Sequence, residues 1–107
     1  MMRGTTPTIE VTLEKVDVTE ARIFLTLQDD NGKQMTFDSA TDDFTVTFED
    51  PDTVIELSMS QEQTFSLAPG RHSSQIRFIF PDGQTGATLI YPVNVDNVLL
   101  NQVISYE

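Results

Sequence analysis

Aspartates at three predicted turns are the side chains of this sequence best suited to hold a ligand. The turns at 29–32, 49–52 and 81–83 are all acidic, and regular alternation of antiparallel strands would place them at one end of a sandwich. Calcium takes about six to eight oxygen ligands, which clustered carboxylates and loop carbonyls can supply. The resulting calcium hypothesis names five ligands: Asp29, Asp30, Asp50, Asp52 and Asp82. The alternative is that these residues are ordinary turn formers in solvated loops, since the sequence has no Asp-x-Asp-x-Asp-Gly loop.

Catalytic chemistry has few candidates in this chain. His72 is the only histidine, and a Ser-His-Asp device would need a serine and a carboxylate to converge on it. Ser73 and Ser74 are its sequence neighbours, but adjacent residues of a strand face opposite sides. We predict an exposed histidine at the start of a strand. The chain has no cysteine, which removes thiolate nucleophiles and thiolate zinc sites, so we expect no enzyme and no cofactor other than calcium.

The charge balance argues against two classes of partner. Six basic residues stand against seventeen acidic ones, which gives a formal net charge of −11 at pH 7. This charge repels phosphate backbones and anionic lipid headgroups, so we expect neither nucleic acid nor membrane as a partner. Residues 1–8 contain no apolar run of the kind found in a signal peptide, so we do not expect secretion by that route.

Alternating apolar and polar residues predict β-strands along most of the chain. Apolar residues occupy every second position in six runs, which begin at Ile9, Ala21, Phe44, Ile55, Ile76 and Leu89. Phe24 is the one large apolar residue on the polar side of its run. A period of two marks half-buried antiparallel strands, and about seven strands at a spacing of about 8–12 residues are typical of an immunoglobulin-like sandwich. We therefore predict a single all-β domain over residues 1–107.

Turn residues lie between the predicted strands. Asn31 and Gly32 predict a hairpin with a type I′ turn, because both residue types tolerate a positive φ. Pro51 is expected at the first central position of a tight turn. Pro92 cannot donate a hydrogen bond to a neighbouring strand, so its own strand is predicted to be an edge or to carry a bulge.

One short helical turn is predicted near residues 60–63. Ser58 or Ser60 would cap it, and it is too short to be stable alone. In a sandwich such a turn lets the chain cross between sheets. Phe65 and Leu67 are then expected to anchor the crossing in the core.

Both ends of the chain are candidates for contacts with partners. Residues 1–8 are polar and rich in threonine, and they are predicted to be extended, as a loose end or as a strand that pairs with a partner. The tail 96–107 is apolar for a terminus, which predicts either a last strand on its own core or a segment that docks on a neighbouring subunit. The candidate interface residues are Arg3, Thr5, Thr6, Pro7, Val98, Leu99 and Leu100.

Two stretches carry a family resemblance. The first is residues 3–8, Arg-Gly-Thr-Thr-Pro-Thr, directly before a strand. The second consists of Ser60, Gln61, Glu62, Gln63, Thr64, Phe65, Gly70, Gln75, Ile76, Arg77, Asp82 and Gly83. In these features the chain resembles a group of small proteins from phages and prophages of Gram-positive bacteria, which are usually found among structural, tail-region genes. It departs from their pattern in the acidic loop 38–43 and in Pro92.

The resemblance implies a non-enzymatic virion structural or accessory protein that acts through protein–protein assembly. Its expected partners are other virion proteins or further copies of itself, in a homo-oligomer or a hetero-assembly. Its expected location is the virion, after synthesis in the cytoplasm of the bacterial host. The alternative is a small β-sandwich binding module that recognises a host-surface glycan or protein, with or without calcium.

Overall fold

Two antiparallel β-sheets form the body of the protein in a computed structural model, which describes residues 1–88, 90–96 and 103–106. The elements in chain order are β1 (Thr8–Leu13), β2 (Arg22–Asp29), β3 (Gln34–Asp38), β4 (Asp43–Glu49), β5 (Asp52–Ser58), α1 (Gln61–Phe65), β6 (Gly70–Ile79), β7 (Thr85–Ala87) and β8 (Tyr91–Val95). One sheet has the order β1-β5-β4 and the other β3-β2-β6-β7, with β8 also paired to β6. The predicted all-β antiparallel sandwich is confirmed, and the described residues contain eight strands where about seven were expected.

The apolar core lies between the two sheets, where the alternation predicted it. Ile23, Leu25 and Leu27 on β2 and Ile55 and Leu57 on β5 are each at most 2% exposed. Removing apolar side chains of this size from water contributes about 1.5–3 kcal/mol each. The inward faces of both sheets are therefore the main source of stability.

The predicted inward pattern is wrong at two strand ends. Phe48, near the end of β4, is 41% exposed, and Tyr91, at the start of β8, is 53% exposed. Both strands are edges with one paired neighbour among the described residues, so the opposing sheet covers these positions poorly. The β8 edge also confirms the prediction for Pro92, which lies opposite Ser73 of β6.

The helical turn at the crossing between sheets forms as the sequence predicted. Ser60 caps α1: its side chain accepts from Gln63 N, while the Gln63 side chain accepts from Ser60 N. This reciprocal capping box satisfies backbone donors that a helix start leaves unpaired. Leu67 is 3% exposed and belongs to the core, as predicted. Half-buried Phe65 is not part of the core cluster, contrary to the prediction, because its ring packs against Gly4 and Arg3.

Two turn types differ from the prediction. In the β2–β3 hairpin only Gly32 takes a positive φ, +83°, while Gly32 N donates to Asp29 O at 3.1 Å. This is a type I turn followed by a left-handed glycine, so the type I′ prediction is wrong. In the β4–β5 hairpin Glu49 pairs with Asp52, which places Pro51 at the second central position, after a cis peptide bond.

Candidate functional site: the two outer faces of the sandwich

The acidic turns named in the calcium hypothesis do not meet at one end of the molecule. β2 and β6 are adjacent and antiparallel: Asp29 pairs with His72, and Arg22 pairs with Ile79. The turn after Asp29 and the turn that carries Asp82 therefore lie at opposite ends of this strand pair, separated by about seven residues or roughly 23 Å. The expectation of a shared end is wrong because regular alternation holds for hairpins, whereas the β3–β4 connection and the crossing through α1 both join different sheets.

Several of these carboxylates stabilise turns. Asp29 Oδ1 accepts from Asn31 N and Lys33 N, both at 2.9 Å. Asp52 Oδ1 accepts from Lys15 N at 3.0 Å. The bonds of Asp29 within its own turn are what the turn-forming alternative predicted, whereas Asp52 bonds across 37 positions to the segment after β1.

The remaining carboxylates of the hypothesis do not complete a shared site. Asp82 Oδ1 accepts from Gln84 N at 2.9 Å, within its own turn, and Asp30 and Asp50 are exposed. Among the residues that the structure describes, no group of three or more His, Cys, Asp or Glu side chains is arranged to hold a metal ion. Calcium binding stays a prediction, and it no longer rests on five ligands in one place.

His72 is buried, contrary to the sequence prediction of an exposed side chain. It is 3% exposed, because the register opposite Asp29 and Val93 turns it toward the core. Its Nδ1 lies 3.3 Å from Gly70 O. The cavity beside it measures about 10 Å³, which is room for about one water molecule.

The serines beside His72 do not form a catalytic pair with it. Ser73 belongs to the opposite side of β6, as alternation requires. Ser74 Oγ donates to Tyr91 O at 3.1 Å. The geometry around the single histidine therefore resembles core packing.

The N-terminal arm, residues 1–7, packs on its own chain. Arg3 N donates to Asp96 O at 2.9 Å, and Arg3 Nη2 donates to Phe65 O at 3.0 Å, with the guanidinium 5.6 Å from the Phe65 ring centre. Pro7 O accepts from Met59 N at 3.0 Å. The arm is thus not a loose end, because several of its backbone groups bond within the domain. Pairing of the arm with a partner stays a prediction.

Buried Thr64 holds the centre of this arm. Its Oγ1 accepts from Gly4 N at 2.9 Å and donates to Thr5 O at 3.0 Å. Thr6, a further candidate interface residue of the arm, is exposed at the edge of an open groove that Asp43 also lines. The other three candidates, Val98, Leu99 and Leu100, lie outside the described residues.

The end of the tail is described over residues 103–106, which have no regular structure. The Gln61 side chain forms two hydrogen bonds with the Ile104 backbone, each 2.9 Å long. Ile104 itself is 56% exposed. Neither predicted state of the tail, a last strand or a docking segment, is decided by these four residues.

Sequence reasoning missed the outer face of the five-stranded sheet, here called the basic face. The register places these outward-facing side chains together: Arg22, Phe24, Thr26, Gln28, Gln34, Thr36, Asp38, Arg71, Ser73, Gln75, Arg77, Ile79, Thr85 and Ala87. Three of the six basic residues of the chain are in this set, against a single aspartate. The face is therefore positive in a strongly acidic protein.

An arginine–aspartate pair lies at the rim of the basic face. Arg22 Nε donates to Asp38 Oδ1 at 2.9 Å, and Arg22 Nη2 donates to Asp38 Oδ2 in a second parallel bond. The hydrogen bonds from Arg22, with a further one from Ala40 N, lower the pKa of Asp38 to about 2. The guanidinium also lies 5.2 Å from the centre of the Phe24 ring. Arg22 is thus held flat along the sheet.

Arg77 is exposed and lies nearer the centre of the same face. It pairs with Phe24 across β2 and β6 and with Ala87 across β6 and β7. An open groove of about 570 Å³ runs past Arg77, Phe24 and Ile79, the last of which is 38% exposed. Arginine and aromatic side chains are enriched in protein–protein interfaces, and Ile79 adds exposed apolar area beside them.

The outer face of the three-stranded sheet, here called the acidic face, has the opposite character. Its outward-facing residues are Thr8, Glu10, Thr12, Asp43, Thr45, Thr47, Glu49, Asp52, Val54, Glu56 and Ser58. Five of them are acidic, and β1, β4 and β5 contain no lysine or arginine. Glu10 and Glu56 lie directly opposite each other.

A signal for these faces was present in the sequence. The alternation already placed Arg22 and Arg77 on the polar sides of their strands, and Phe24 was its one large exception. The missing fact was that β2 and β6 are neighbours, which no local pattern encodes. Only this pairing places Phe24 opposite Arg77.

Fold and site together define an all-β sandwich with outer faces of opposite charge. No protein-family model matches the chain, and the search of curated proteins finds no match either. No helix among the described residues is both long and apolar enough to cross a membrane.

Proposed function

We propose that this protein is a non-enzymatic structural or accessory component of a phage or prophage virion, and that it acts by binding other proteins. The observation that carries the proposal is the basic face, where Arg22, Arg77, Phe24 and Ile79 share one surface in a chain of net charge −11. The arginines and the partly exposed apolar groups favour a protein surface as the partner, and the overall charge opposes nucleic acid.

The surroundings of the polar residues agree with a role without catalysis. His72 is buried beside a cavity the size of one water molecule, and Ser66, which lines the same cavity, donates its hydroxyl to Glu62 O at 3.0 Å. Asp38, the carboxylate whose pKa is lowered to about 2, bonds to Arg22 and to backbone. A general base needs a pKa close to the working pH, so this carboxylate is poorly suited to that role.

Purified particles test the proposal. A bacterial strain that carries the gene is induced, particles are separated on a density gradient, and the chain is counted by quantitative mass spectrometry. We expect a defined number of copies in each particle. The double variant Arg71→Glu/Arg77→Glu should stay in the soluble fraction, whereas Lys15→Glu/Lys33→Glu, which makes the same change of net charge in two loops, should be incorporated. A chain that is absent from pure particles contradicts the proposal.

The alternative function, a glycan-binding module, has weaker support from the same face. A sugar-binding platform uses an aromatic ring with a free side, but the Arg22 guanidinium already lies over the ring of Phe24. Binding of the wild-type chain to a host-surface glycan array, with no copies in particles, would favour the module.

A further inference from the structure

The acidic and basic faces lie on opposite sides of one sandwich. Each face is the outward side of a sheet whose inward side contributes to the same core, through Leu25 and Ile76 in one sheet and Ile55 and Leu57 in the other. Five carboxylates without a basic strand residue lie on one side, and three arginines with one aspartate lie on the other. A copy of this chain therefore carries both halves of a complementary pair.

We propose that the basic face binds the acidic face of a second copy of the same chain. The inference rests on the proposed function in assembly, and it names the partner. In such a contact Arg77 of one copy lies against Glu10 and Glu56 of the next. Arg71, six residues or roughly 20 Å along β6, then lies toward the end of the acidic face that carries Glu49 and Asp52. Phe24 and Ile79 supply apolar contact against the threonines and Val54.

The acidic face gains from such a partner. Glu10 and Glu56 face each other across β1 and β5, and like charges in directly opposed positions destabilise a sheet. Glu56 is also opposite Thr45 of β4, so no cation lies in either neighbouring strand position. An arginine from another copy would supply the missing countercharge.

The contact joins two different surfaces, so it is heterologous. After the first contact one copy keeps a free acidic face and the other keeps a free basic face. Copies can therefore continue to add until the series of contacts closes into a ring or stops. Long-range repulsion between copies of charge −11 is screened over about 8 Å at physiological salt, whereas charges in direct contact are screened less.

Each contact is expected to be weak. Three strands spaced about 4.8 Å apart and about seven residues long present roughly 300 Å² of projected area. Stable complexes bury about 800 Å² on each partner. Assembly therefore requires a high local concentration, such as a growing particle provides.

Sedimentation velocity over a range from about 10 μM to about 1 mM tests the inference. Wild-type chain at about 150 mM salt should show a weight-average mass that rises with concentration and falls again at about 1 M salt. Arg71→Glu/Arg77→Glu and Glu10→Lys/Glu56→Lys should each remain monomeric. Lys15→Glu/Lys33→Glu should assemble like wild type. Thermal melting of every variant checks that the fold is kept.

An equimolar mixture of Arg71→Glu/Arg77→Glu with Glu10→Lys/Glu56→Lys gives the decisive result. The first variant keeps an intact acidic face and the second keeps an intact basic face, and their two reversed faces also carry opposite charges. The mixture should therefore form mixed oligomers that neither variant forms alone. A wild-type chain that is monomeric at every concentration, face variants that assemble like wild type, or a mixture that stays monomeric each overturns the inference.

The two proposals fail in different ways. Copies in particles together with a monomeric wild-type chain mean that the occupant of the basic face is another virion protein. Self-assembly without incorporation into particles means that the contact is real and the virion role is wrong.

Discussion

Gly4 lies against the ring of Phe65, and this contact closes the N-terminal arm over α1. A Cβ on Gly4 would be 2.6 Å from Phe65 Cζ, and Gly4 has a φ of +76°. Glycine is therefore required at this position for two separate reasons. One is the left-handed backbone, and the other is the space that the ring occupies.

Gly4→Ala should lower the free energy of unfolding by about 1–3 kcal/mol, because alanine is strained at this φ and displaces the ring. Gly32→Ala is the matched control, since Gly32 has a φ of +83° and nothing within 4 Å of the added Cβ. Chemical denaturation should show a larger loss for Gly4→Ala than for Gly32→Ala. Equal losses would mean that the ring moves aside at no cost.

Thr64→Val should release the arm while keeping the volume of the side chain. The substitution removes Thr64 Oγ1, the acceptor to which half-buried Gly4 N donates at 2.9 Å, and a buried donor without an acceptor costs up to about 1–3 kcal/mol. We expect faster cleavage of residues 1–7 in limited proteolysis. Thr53→Val is the control, because the Thr53 hydroxyl is as buried as that of Thr64 and accepts from Val18 N while it donates to Val16 O. This variant should lose stability without faster cleavage of the arm.

Glu56→Gln should stabilise the protein by about 0.2–1 kcal/mol, because it removes the charge opposed to Glu10. Glu10→Gln should have a similar effect, and the double variant should gain little beyond either single change. Thermal unfolding at low protein concentration measures the gain in the monomer, and the gain should shrink as salt rises. Fully additive gains would show that the two carboxylates do not interact.

The ion pair between Asp38 and Arg22 should contribute to stability only above strongly acidic pH. The pKa of Asp38 falls from its ordinary value of 3.8 to about 2 in the fold, so the folded state favours the charged form. The contribution is complete above about pH 4 and is lost as the pH falls through about 2. A carbon-detected NMR titration should find the Asp38 carboxyl near 2 in the wild type.

Arg22→Gln is the control for this titration. It removes the largest cause of the lowered pKa and should return the Asp38 carboxyl toward 3.8. In Asp38→Asn the free energy of unfolding should fall less steeply than in the wild type as the pH drops below about 4. An unchanged Asp38 titration in Arg22→Gln would assign the low pKa to Ala40 N instead.

Local patterns were sufficient to predict most of the fold. A period of two placed Ile23, Leu25 and Leu27 in the core, and the Ser60 cap located α1, because both features depend on neighbours within a few residues. The same reasoning failed for His72, whose burial depends on its partners Asp29 and Val93 in distant strands.

The candidate site depends even more on long-range pairing. Phe24 and Arg77 are more than fifty positions apart, and they become neighbours only because β2 pairs with β6. The arm shows the same limit, since Gly4 meets Thr64 through a contact across 60 positions. Residue types identified these side chains as notable, but only the sheet order could bring them together.

The separation of charge between the two faces gives the protein an electric dipole moment roughly perpendicular to its sheets. A net charge is a sum, and it contains no information about direction. At neutral pH the chain should bind an anion exchanger through its acidic face. It should also be retarded on a cation exchanger through its basic face, although a protein with a pI near 4.1 would not be expected to bind one. Beside any charged surface, the molecule should therefore adopt a preferred orientation before it makes a specific contact.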